Sequence, residues 1–137
     1  MDRSYNKIHV IADSSPSAQA AKRSLTKKYK NYSMNDSDVF IVLGGDGFML
    51  ASLKKYQKYE IPFYGMNKGN RGFLLNKFNE KDLINKINKA DIAELHPLEM
   101  YAKNKNGKIK KAIAINEVSV FRETRQAAKL EIKIEDR

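Results

Sequence analysis

Four residues carry the densest chemical signal in this 137-residue sequence, Gly44-Gly45-Asp46-Gly47. They follow a continuously apolar, β-branched run, Val39 to Leu43, and lead into an apolar-rich segment from Phe48 that reads as a helix. Glycines at such a strand-to-helix turn let the backbone take positive φ and approach a phosphate closely. A helix starting near Gly47 offers free N–H groups and the positive end of its dipole to an anion. Asp46 is the odd member. An acid there repels phosphate unless it binds a metal or takes a proton from a hydroxyl, so the combination points to phosphoryl transfer to an alcohol. The same residues would also suit an ordinary turn, in which the glycines relieve strain and Asp46 caps the helix.

Two further segments could join that turn. Asn67-Lys68-Gly69-Asn70-Arg71-Gly72-Phe73-Leu74 follows the next apolar run, Ile61 to Met66, and ends a glycine-bearing loop on an aromatic. Phe73 would serve there either as a stacking platform for a base or as a core phenylalanine sealing the sheet edge. Asn116-Glu117-Val118-Ser119 falls on a later predicted strand, where Asn116 and Glu117 point to opposite faces unless a bulge intervenes. Buried, the pair would need partners, and a ligand's hydroxyls are candidates. On the surface, Asn116 would cap a turn and Glu117 would pair with a lysine. Lys54, expected one turn into the helix from Gly47, is a candidate phosphate contact. His9 lies in an apolar strand and reads as a satisfied core histidine, and His96 before Pro97 marks a boundary. With no cluster of His, Asp or Glu at ligand spacing, no metal site built from protein alone is expected.

The elements that would position these residues alternate. Lys7 to Ala12 is a short apolar run ending at Asp13; Ser15 is the N-cap and Pro16 the first turn of a helix in which Ala18, Ala21, Leu25 and Tyr29 recur at helical spacing. Val39 to Leu43 has the composition of a strand buried on both faces. After the glycine turn, Phe48, Leu50, Ala51 and Leu53 predict a helix running to Lys58. A third helix is expected from Asn79 as N-cap, with Asp82 three residues on and Leu83, Ile84 and Ile87 as its apolar side. This alternation predicts an α/β fold, an open parallel sheet with flanking helices, over residues 1–93. From residue 94 the pattern changes. Leu98, Met100 and Ala102 alternate with other residues, Asn106-Gly107 signals a type I′ hairpin, Ile113, Ile115, Val118 and Val120 continue beyond it, and Lys129 to Glu135 alternates strictly. Residues 94–137 are therefore expected to be the first antiparallel strands of an all-β domain; three strands cannot bury one apolar face alone, so further chain or a partner must cover it.

Composition narrows the class. The 26 Lys and Arg against 16 Asp and Glu give +10, which admits nucleic acid, an anionic membrane or phosphorylated ligands as partners. The charges are dispersed along the chain, however, as on a solvated surface. No cysteine is present, so disulfides, thiolate metal sites and cysteine nucleophiles are excluded. No apolar run approaches the roughly 20 residues of a membrane span and the N-terminus lacks the features of a signal peptide, so a cytoplasmic location is expected.

The three segments, in this order and spacing, resemble the NAD kinase family, and the likeness runs from residue 7 to 137. Gly44 to Gly47 alone is shared with diacylglycerol-type lipid kinases and phosphofructokinases; Gly69 to Leu74 and the Asn116-Glu117 pair narrow the resemblance to NAD kinases. It implies transfer of the γ-phosphate of ATP to the 2′-hydroxyl of the adenosine ribose of NAD, giving NADP, with Mg²⁺ arriving on the ATP. Asp46 matches the family's proton acceptor and Gly47 its neighbour in the NAD-binding turn, with Gly44 and Gly45 completing it. Phe73 matches an aromatic against the adenine end, and Asn116 with Glu117 a pair that hydrogen-bonds the nucleotide from the second domain. The resemblance also implies a homo-oligomer, dimer or tetramer, when complete, with no nucleic-acid or membrane partner. A glycine- and threonine-rich segment that completes the family's pocket is absent from this sequence, so these residues are expected to be part of a longer enzyme and inactive alone. A lipid kinase of the same superfamily and a basic nucleic-acid-binding module remain the alternatives.

Overall fold

Alternating strands and helices do form from the apolar runs. The computed structural model describes residues 4–68 and 72–135, which fall into two units, Met1–His96 and Pro97–Arg137. The first contains β1 (Ile8–Ala12), α1 (Pro16–Lys28), β2 (Val39–Leu43), α2 (Asp46–Tyr56), a 3₁₀ turn (Gln57–Tyr59), β3 (Phe63–Asn67), β4 (Asn76–Lys77) and α3 (Leu83–Lys89). Its strands make one open sheet in the order β1-β2-β3-β4, every neighbouring pair parallel. Each residue of β2 is at most 1 % exposed, as a continuously apolar strand covered on both faces must be.

Register explains what covers each face. Ile8, Val10, Val39, Ile41, Leu43 and Met66 share one side of the sheet and pack with Ala18, Ala21 and Leu25 of α1 and Leu83 and Ile87 of α3. The other side carries an aromatic cluster in which the Phe40 ring meets His9, Tyr56, Tyr59 and Phe63 edge-on at centroid distances of 5.2–5.9 Å. His9 is satisfied there, its Nδ1 lying 2.6 Å from the Tyr32 carbonyl. Gly65 in β3 leaves the space that the Leu75 side chain fills; a Cβ on it would fall inside that side chain.

Local chemistry sets the helix ends. Ser15 Oγ accepts from Ala18 N at 3.4 Å and Pro16 opens the first turn of α1. Helix α3 begins at Leu83, later than the sequence suggests, because the Asn79 side chain instead accepts from Lys81 N in a preceding turn. Tyr29 joins the two helices: its hydroxyl donates to Glu80 O and accepts from Leu83 N. Asn88 closes the other end on Tyr5 through both amide atoms. The helix expected after the glycine turn forms as α2, whose buried residues are Met49 and Ser52.

The second unit holds an antiparallel hairpin, β5 (Leu98–Lys103) and β6 (Ile109–Ala114). Its turn is not type I′, which needs positive φ at both Asn106 and Gly107. Only Gly107 is left-handed, at φ 80°, and Asn104 Oδ1 accepts from Asn106 N and Lys108 N to fix the longer loop. Across the strands Lys111 pairs with Glu99 and lies over the Tyr101 ring. The hydrogen bond from Lys111, then that from Tyr101, holds the Glu99 carboxyl below the ordinary carboxylate range, and the bond to Glu99 raises Lys111. Beyond Ala114 the expected strands do not form among the described residues. Over 129–135, Leu130, Ile132 and Ile134 are exposed, since alternation prepares a face for burial but a strand needs a neighbour to pair with.

Two stability measurements check this account. Gly65→Ala should destabilise the chain by about 1–3 kcal/mol in chemical denaturation, the usual cost of overpacking. Ser15→Ala should fall at the lower end of the about 0.5–2 kcal/mol range for a lost cap, given the long Oγ contact.

Candidate functional site

Parallel pairing brings the carboxyl ends of β1, β2 and β3 to one rim. Asp13 N donates to Leu43 O at 2.9 Å and Gly44 N to Met66 O at 3.4 Å, so the ladder continues past the strands into the turns that leave them. At this rim a cleft of about 150 Å³ is lined by Asp13, Ser15 and Ser17 at the start of α1, by Gly44 and Gly45, and by Met66, Asn67, Lys68 and Phe78. Lys68 lies over the Phe78 ring at 4.8 Å. The sequence reading placed Gly44 and Gly45 at this rim and did not assign Asp13, Ser17 or Lys68. The signal for them was present in the topology, since a residue that follows a parallel strand shares its edge with those that follow the neighbouring strands.

The glycine turn works differently from the expectation. Neither Gly44, Gly45 nor Gly47 has positive φ. Gly45 is the N-cap of α2 in an extended conformation, φ −100° and ψ 179°, without a side-chain cap. Gly44 is required by close approach, because a Cβ on it would stand 2.8 Å from Phe48 Cδ1. Gly45 and Gly47 face open space, which leaves bare backbone beside the cleft and at the helix start.

Asp46 is the first residue of α2 and does not cap its own helix. Its carboxylate turns to the loop after β3: Oδ2 accepts from Phe73 N at 2.8 Å and Oδ1 from Leu74 N at 3.2 Å. Gly72 lies against it, so near that a Cβ there would be 2.5 Å from Oδ1. A carboxylate offers about four lone-pair directions, so two remain after these bonds. Asp46 and Gly47 flank the cleft in sequence but do not line it.

Phe73 is 102 % exposed, which removes the alternative of a core phenylalanine. Gly69, Asn70 and Arg71 of the same motif lie outside the described residues. Lys54 sits in the last turn of α2 and does not line the cleft. Asn116 and Glu117 belong to the second unit and follow the end of β6, Asn116 in a bend and Glu117 in irregular backbone, where a strand was expected. Both are exposed, and neither makes a hydrogen bond or ion pair among the described residues, so the lysine pairing considered for Glu117 does not occur. Among the described residues there is no group of three or more His, Asp or Glu suited to a metal ion. No helix among them is long and apolar enough to cross a membrane.

Comparison with known proteins bears on the same residues. The family model described as ATP-NAD kinase N-terminal domain matches residues 3–92, well over half of the chain, including the glycine turn, Asp46 and Phe73. A protein of Rickettsia typhi named NAD kinase is 42% identical over 129 residues, covering 94% of this chain and 51% of that protein. One of Zymomonas mobilis with the same name is 41% identical over 135 residues, covering 97% and 52%, and one of Rickettsia bellii is 40% identical over 129 residues. The chain thus spans about half the length of the curated relatives it matches. With a strand-to-helix turn, an acid and a parallel sheet that fit the matched domain, the chain belongs to the NAD kinase family.

Proposed function

We propose that this chain serves in the transfer of the γ-phosphate of ATP to the 2′-hydroxyl of the adenosine ribose of NAD. The observation that carries the reading is the placement of Asp46: a half-buried carboxylate, fixed by two backbone N–H groups, beside the carboxyl rim of a parallel sheet and the bare start of a helix. The names of the relatives supply the acceptor and the donor. In this reading the ribose oxygen attacks the γ-phosphorus and its proton passes to Asp46. The bond between the γ-phosphorus and the bridging oxygen breaks, ADP leaves, and NADP is formed.

The remaining residues take supporting roles. Gly44 and Gly45 let phosphate approach the backbone at the cleft, and Gly47 exposes the N-terminal amides of α2. Phe73 offers an uncovered ring for the adenine. Asp13 is the described carboxylate on the cleft that would meet a Mg²⁺ ion carried by the nucleotide, in keeping with an ion held by phosphates and one or two carboxylates. Such an ion would neutralise phosphate charge. The β-rich portion from residue 94 is proposed as the opening of the NAD-binding domain, with Asn116 and Glu117 free to bond the nucleotide. The exposed Val120, Phe121, Leu130 and Ile132 support this, being apolar side chains suited to burial in a larger β structure. A cytoplasmic homo-oligomer is proposed on the family likeness and on the absence of cysteine.

Two kinetic results test the reading, measured on the product of the whole reading frame and on this chain alone. Asp46→Asn should lower turnover by about 10²–10⁴ with the fold retained in circular dichroism, as loss of a general base does; near-normal turnover would refute the role. Phe73→Ala should raise the KM for NAD with little change in kcat, base–aromatic stacking being worth roughly 1–3 kcal/mol. Liposome flotation without any response to NAD would instead select a lipid kinase, and a steep salt-dependent affinity for nucleic acid untouched by Asp46→Ala would select a binding module.

A further inference from the structure

We propose that Gly72 is a positioning residue for Asp46, and that the acid doubles as the clasp holding the loop that presents Phe73. The role in catalysis rests on the kinase reading above, whereas the clasp rests on geometry alone.

A side chain at Gly72 would meet the carboxylate. A Cβ at 72 would stand 2.5 Å from Asp46 Oδ1 and 3.2 Å from Asp46 Cγ, well inside the about 3.5–4.0 Å at which non-bonded heavy atoms pack. The neighbour that would have to yield is held. Oδ1 accepts from Leu74 N at 3.2 Å and Oδ2 from Phe73 N at 2.8 Å, so a shift of roughly an ångström breaks the longer bond and strains the shorter. Two successive amides of a turn form a small anion-binding concavity, here filled by the protein's own carboxylate.

The contact has a chemical consequence. An asparagine at 46 keeps one acceptor oxygen but turns an NH₂ group towards the second amide, so Asp46→Asn removes the base and half of the clasp together. A substitution at Gly72 leaves the acid in place and changes only where it sits. Misplacement of a reacting group by about 1 Å can cost around 10²-fold in rate.

The test reads the clasp first, through amide hydrogen exchange of Phe73 and Leu74 by NMR on the 137-residue chain. In Gly72→Ala both amides should exchange about tenfold faster or more, matching loss of hydrogen bonds to a charged group. Gly47→Ala, whose added Cβ meets open space, should leave them protected. In an Asp46→Ala background Gly72→Ala should add nothing, because the two changes act through one contact. Unchanged protection in Gly72→Ala, or the same acceleration with Asp46 already removed, overturns the proposal. If Gly72→Ala does not fold, Asp46→Ala alone must expose both amides, and retained protection there overturns it equally. On the product of the whole reading frame, Gly72→Ala should lower kcat about 10–100-fold with the KM for ATP unchanged, and full kcat overturns the positioning role. Absence of turnover in the unaltered product would instead sink the kinase reading and leave the exchange result to judge the clasp.

Discussion

A carboxylate bonded to two consecutive backbone amides from a loop 27 and 28 residues away is the contact on which the site depends. It ties the first residue of α2 to the segment after β3, two parts of the chain that the sheet brings to one rim but does not itself connect. The acid gains a fixed direction, and the loop gains an anchor at the point where Phe73 turns into solvent. Charge-assisted bonds of this kind hold geometry better than neutral ones. They account for an exposed aromatic standing at a defined place on an otherwise irregular stretch.

The sheet supplies the other constraint. Since β1, β2 and β3 run the same way, the residues leaving them, Asp13, Gly44 and Lys68, arrive together, and the bonds from Asp13 N to Leu43 O and from Gly44 N to Met66 O hold the exits level. Behind that rim, α1 and α3 are locked to the core by Leu25, Leu83 and Ile87 and by the bonds of Tyr29 and Asn88. The cleft therefore rests on buried apolar packing below and on bare glycine backbone at its mouth. Rigid support and close approach are separated between different residues.

Much of this was legible in the sequence, for reasons that differ from residue to residue. The run Val39 to Leu43 could hardly be anything other than a central parallel strand, and Ser15-Pro16 fixed the start of α1. The glycine turn was legible as a site because its position in the fold follows from the alternation of elements. Its mechanics were not: positive φ was expected, whereas Gly44 answers to the Phe48 ring and Gly72 to a carboxylate, contacts that depend on tertiary neighbours. The hairpin was located by Asn106-Gly107, yet its turn type was decided by Asn104, whose side chain bonds two amides ahead of it. Alternation over Lys129 to Glu135 recorded a preference for one buried face, and such a preference becomes a strand only when another strand lies alongside.

One rim of the sheet is closed by its own chain. On β1 the outward Val10 N–H donates to Asn31 Oδ1 and the Ile8 carbonyl accepts from Tyr32 N, while Asp38 takes the N–H groups of Asn6 and Lys7 just ahead of the strand. Two of the backbone groups through which a passing strand would recruit this edge, the Ile8 carbonyl and the Val10 N–H, are thus already occupied. Pairing of another copy along that side is hindered by the two contacts of Asn31 and Tyr32, while the opposite margin is short, β4 amounting to Asn76 and Lys77.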